Sequence, residues 1–187
     1  KHFNFILNSS SKMHIGSRHY RFYVVLNYSI IAAFIGHLLF IPLFYFLGLE
    51  KLAIFNLFSI ITYFLCFYLN RKHYSHPAFF LGFAEIVCHD IFATVHLGWE
   101  SGFHYYILCL IPFIYFGSDI KNVKKVLLTL LCTIIYILLY TYSSVSIPLI
   151  PVHKSTITLL NHMNMMVVFI CLALLSHYYS IATANTE

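Results

Sequence analysis

Residues Glu85–His104 read EIVCHDIFATVHLGWESGFH, and ionisable side chains run straight through this otherwise oily stretch. Glu85, His89 and Asp90 fall within sequence of membrane-spanning character. A charged side chain at mid-membrane costs about 2.5–3.5 kcal/mol on insertion scales, so its default reading is functional. On a helix Glu85, His89 and His96 share one face, spaced four and then seven residues apart. Asp90 is turned about 100° from His89, so the two form no ready-made dyad.

The rest of the chain reads as a bundle around this strip. Of 187 residues, 60% are hydrophobic and 9% charged. Soluble domains carry roughly 25% charged residues, so composition alone sets this chain among membrane proteins. Its 19 Phe and 15 Tyr suit lipid contact and interfacial belts. The net charge of +5 is distributed as a topology signal, which argues against a nucleic-acid partner. Cys66, Cys88, Cys109, Cys132 and Cys171 fall one to each of five apolar segments, a spacing that suits buried thiols rather than a disulfide framework. The first apolar run is too long for a signal peptide and lacks a small-residue cleavage site.

Six apolar segments are expected to cross the bilayer, at 22–47, 52–69, 78–97, 103–117, 125–142 and 157–182. A spanning helix needs about 20 apolar residues. The fourth segment is short and contains Pro112, so it is the least regular. Residues 1–21 are polar and basic, and Phe3, Phe5, Ile6 and Leu7 suit the membrane surface. Basic residues set the orientation. Lys1, Lys12, Arg18, Arg21, Arg71, Lys72, Lys121, Lys124 and Lys125 lie on one side, and only Lys51 and Lys154 on the other. That nine-to-two split puts both termini in the cytoplasm. The outer loops are then Gly48–Lys51, Gly98–Gly102 and Ser143–Thr156, the last an extended lid with Pro148 and Pro151.

On this topology His37, His89, His96, His104 and His162 come from four helices and can converge in the outer half of the bundle. Neutral imidazoles there could ligate haem b or a transition metal, pairing His37 with His89 or His96 with His162 in the right helix order. Against this, a single membrane histidine is more often an interhelical hydrogen-bond donor. Trp99 is most simply an interfacial anchor, and Met163, Met165 and Met166 are packing residues. Gly36, Gly82 and Gly98 permit close helix approach. No H-E-x-x-H zinc motif, G-x-S-x-G elbow or Gly-rich phosphate loop occurs, so no catalytic residue is assigned.

The pattern E-x-x-x-H at Glu85–His89, followed by LGWESGFHYY at Leu97–Tyr106, resembles the multi-helix membrane sensor modules ahead of bacterial GGDEF diguanylate cyclases and class III adenylate cyclases. The tail SHYYSIATANTE, Ser176–Glu187, is similar to the last membrane helix of those proteins, and His37–Leu49 fits their first span. No GGDEF signature or cyclase catalytic residue lies within the chain. The resemblance implies a sensory input domain over 22–182, with a signalling helix starting at 183–187 and a cytoplasmic cyclase domain downstream. It also implies a homodimer in the bacterial inner membrane. An outer cavity lined by His37, Glu85, His89, Asp90, His96, Trp99, Glu100, His104, Asn161 and His162 would take a small-molecule or lipid signal, haem or a metal. The expected fold is thus all-α, a polytopic six-helix bundle. The rival functions are a bis-His membrane cytochrome and a small proton-coupled transporter using Glu85, His89 and Asp90 as a relay.

Overall fold

A computed structural model describes residues 17–116 and 120–184. The Phe3–Leu7 cluster, Lys1, Lys12 and residues 185–187 lie outside the described residues. The described chain is all-helical: α1 (Ser17–Phe46), α2 (Glu50–Arg71), α3 (Ser75–Leu97), a 3-10 turn at Trp99–Ser101, α4 (Tyr105–Phe116), α5 (Asn122–Val145) and α6 (Lys154–Ala184).

Apolar sequence of this kind folds as helix because hydrocarbon offers the backbone no outside partner. Hydroxyl side chains follow the same rule. Ser29 donates to the Val25 carbonyl, Ser59 to Phe55, Thr62 to Phe58 and Thr133 to Thr129, each four residues back. The first two helices end in tight turns, where Leu49 N–H reaches the Phe44 carbonyl and Tyr74 N–H the Leu69 carbonyl. Such short connections make α1, α2 and α3 successive antiparallel neighbours.

Five helices, α1, α2, α3, α5 and α6, are long and apolar enough to cross a membrane. Exposed Leu, Ile and Phe along them suggest a membrane-embedded protein. The fourth expected crossing differs. Among the described residues Tyr105–Phe116 is helical there, and these 12 residues rise about 18 Å, short of a hydrocarbon core of about 30 Å. Phe103 and His104 belong instead to the loop before it. Lys125 of α5 hydrogen-bonds the Tyr115 carbonyl near its far end.

Two apolar clusters hold the bundle. One contains Phe22, Leu26, Phe79, Phe83, Leu110 and Ile114. The other contains Phe40, Phe44, Leu52, Leu97, Phe103 and Leu160. The α1–α2 pair is also tied by Asn70, whose amide donates to the Tyr23 carbonyl and whose Oδ1 accepts from Ser75. The outer face of α5, with Leu127, Leu130, Ile134 and Leu138, is exposed.

Candidate functional site

A buried polar layer lies where α1, α2 and α3 meet. Asn56, Ser59 and Tyr63 are spaced three and four residues apart on α2, so they form one stripe, and all three are buried. Opposite them α3 brings Glu85, His89 and Asp90, also buried, and α1 brings His37. The Asn56 amide donates to the Leu52 carbonyl at 2.7 Å, which turns its Oδ1 toward His37 Nδ1 at 2.7 Å. His37 Nε2 then faces Glu85 Oε2 at 3.6 Å. Because Nδ1–H is the donor to Asn56, the Nε2–carboxyl contact is attractive only when it holds a further proton.

His37 stacks on Tyr63 at 5.2 Å and meets His89 edge-on at 4.8 Å between ring centres. Phe55 and Phe103 enclose His89 on other sides. His89 Nδ1 lies 3.9 Å from Asp90 Oδ1, beyond hydrogen-bond reach. Both Glu85 carboxyl oxygens, Asp90 Oδ2 and the Tyr63 hydroxyl are buried without a hydrogen-bond partner. Buried polar atoms in folded proteins are nearly always paired, so this concentration in one layer marks it out.

Above the layer, the loop from Gly98 to His104 is built on two glycines. Gly98 has φ +86 and ψ 165, and a Cβ there would stand 2.8 Å from Pro148 Cγ. Gly102 has φ +82, and its Cβ would stand 3.2 Å from Asn161 Cα on α6. Only glycine meets both the positive φ and the close approach. Within the loop Trp99 and His104 stack face to face, 3.6 Å apart and 10° from parallel, with Tyr136 and Tyr140 of α5 edge-on against Trp99. Burial holds the His104 imidazole down at about 4, and a hydrogen bond to the Trp99 backbone opposes that shift. The segment after α5 crosses the end of α3, where Ile150 N–H bonds the His96 carbonyl at 2.9 Å.

Helix α6 is fastened to this loop by two asparagines. Asn161 donates to the Glu100 carbonyl at 2.9 Å, and Asn164 donates to the Ser101 carbonyl at 2.9 Å. Asn164 Oδ1 also accepts from the Tyr106 hydroxyl at 3.1 Å. Asn164 is wholly buried.

The ten expected site residues thus divide. His37, Glu85, His89 and Asp90 share the polar layer. Trp99, Glu100, His104 and Asn161 belong to the loop and its anchor. His96 turns its Nδ1 to the Phe92 carbonyl at 2.8 Å and packs on the Phe92 ring, and His162 is exposed. Convergence of all five histidines does not occur. A haem between His37 and His89 needs its plane between the rings, yet those rings touch. Among the described residues no three His, Cys, Asp or Glu side chains are placed to hold a metal ion. The sequence reading missed Asn56, Tyr63, Tyr106 and Asn164. The first two were signalled by the polar stripe on α2, and Asn164 by its spacing of three from Asn161. Compared with protein-family models, curated proteins and solved structures, the chain matches none.

Proposed function

We propose that the chain is the membrane-embedded sensory input domain of a nucleotide second-messenger cyclase in a bacterial inner membrane. It takes its signal at the buried polar layer and passes it along α6 to a cytoplasmic output domain. Both termini lie on the cytoplasmic side, as the basic residues require, and α4 serves as a short sixth membrane segment packed against its neighbours. The output works as a homodimer, as in the cyclases whose sensor modules the LGWESGFHYY segment resembles.

The observation that carries this reading is Asn164. It joins α6 at once to the loop carbonyl of Ser101 and to Tyr106 of α4. Farther along, α6 exposes Met166, Phe169 and Ile170 and continues as one helix to Ala184. A helix that runs unbroken from the grip to its far end transmits a change at the grip as a shift of the whole rod. A signal that binds one packing of α6 better than another supplies the free energy for that shift.

The test is to join residues 1–187 to the catalytic domain of a diguanylate or adenylate cyclase and measure cyclic nucleotide in cells lacking their own. Asn164→Leu should change output severalfold at equal protein level, and Asn161→Leu should change it less. Equal output from all three chains would remove the sensory reading.

A further inference from the structure

A cavity of about 170 Å3 lies between α1, α3, α4 and α6. Its body is apolar, with Leu26, Ile30, Phe79, Leu110, Phe113 and Leu175 in the wall. One end is closed by the stacked rings of Tyr28 and Tyr178, 3.8 Å apart. The other end is lined by His37, His89, Asp90 and Tyr106. Half-buried Tyr28, Ser29, Ala32 and Leu172 complete the wall on the α1–α6 side, where the cavity comes close to the surface of the bundle. Gly36 also lines it, and a Cβ built there meets nothing within 4 Å.

We infer that this cavity binds a single-chain, medium-length aliphatic alcohol drawn from the bilayer, with its hydroxyl at Asp90 and its chain along α1 and α6. Size excludes a two-tailed lipid, since an engineered apolar cavity of about 150 Å3 holds one benzene. Chemistry selects the head. Asp90 is 1% exposed, and its Oδ2 has no hydrogen-bond partner. A hydroxyl both donates and accepts, so it satisfies a carboxyl in either protonation state, and a saturated hydrocarbon satisfies it in neither. The site also explains how a signal reaches α6. The alcohol would sit between α1 and α6 beside Tyr106, whose hydroxyl holds Asn164. This inference deepens the sensory reading and rests on it only for its consequence, not for the binding itself.

The experiment uses the whole chain in lipid nanodiscs with a photoreactive diazirine analogue of n-octanol, mapped by mass spectrometry. Label should concentrate on cavity residues of α1, α4 and α6. Octanol should compete at about tenfold lower concentration than octane, the worth of one hydrogen bond to a buried acid. Asp90→Leu should abolish that tenfold preference, and Gly36→Leu, which fills the cavity from α1, should abolish the labelling while helical content is kept. Label spread evenly over the exposed α5 residues Leu127, Leu130 and Ile134, without competition, would overturn the site. Saturable labelling that leaves the output of the cyclase fusion unchanged would keep the site and remove the sensory reading. A fusion whose output depends on Asn164 but ignores octanol, in a chain that octanol does not protect from label, would do the reverse.

Discussion

His37 Nε2 stands 3.6 Å from Glu85 Oε2 while its Nδ1 engages Asn56 Oδ1 at 2.7 Å, so one imidazole joins α1, α2 and α3 in the middle of an apolar bundle. Removing the imidazole leaves a buried acid without its counterpart. His37→Leu should destabilise the bundle by about 1–3 kcal/mol, the cost of leaving buried polar groups unpaired. The double variant His37→Leu, Glu85→Leu should recover most of that loss. Unfolding in mixed micelles of rising SDS fraction checks this, and additive losses would contradict the pairing.

The loop over the site should respond to a single methyl group. Gly98 occupies a region of φ and ψ open essentially to glycine, with Pro148 Cγ 2.8 Å from where a Cβ would stand. Gly98→Ala should cost about 1–3 kcal/mol. Adding Pro148→Ala removes the clash but not the backbone strain, so it should restore only part of the lost Tm.

Asn164→Leu strands both the Ser101 carbonyl and the Tyr106 hydroxyl, whereas Asn161→Leu frees only the Glu100 carbonyl at a wetter position. The first should cost about 1–2 kcal/mol and the second a few tenths. Thermal unfolding of the two variants side by side gives the comparison, and equal losses would contradict the burial of Asn164.

Trp99 is the only tryptophan, and it reports on His104. An unhindered imidazole titrates near 6.5, and burial lowers His104 to about 4. Between those values an unfolded chain takes up the proton and the folded loop does not. Stability of the loop is therefore full above pH 6.5 and declines as pH falls toward 4. Trp99 emission should be quenched with a midpoint near 4, and a midpoint near 6.5 would mean an open, solvated stack.

Much of this was legible in the sequence, for reasons that also explain what was not. Glu85, His89 and Asp90 announced themselves because ionisable groups are expensive in oil, and all three are buried. The short fourth segment was flagged by its length and by Pro112, and its described helix, Tyr105–Phe116, is shorter than the other five. Helix rotation was not legible. His96 and His162 lie near helix ends, where a carbonyl or water serves an imidazole as well as a bundle interior does, so periodicity could not say which way they turn. Asn56 and Asn164 carry no charge and raise little alarm in a hydropathy reading, yet they make the hydrogen bonds that orient His37 and hold α6.

On the proposed function, the hold of Asn164 on α6 governs the far end of that helix. Spin labels at Lys72 and Ser180, both exposed, would report that distance by pulsed electron resonance in a Cys88→Ala background, which removes the exposed native thiol. Breaking the grip with Asn164→Leu should shift the distance distribution by about 1–2 Å, the scale of known helix shifts in signalling. An unchanged distribution, in a variant that has lost the Tyr106 and Ser101 bonds and still folds, would contradict the account.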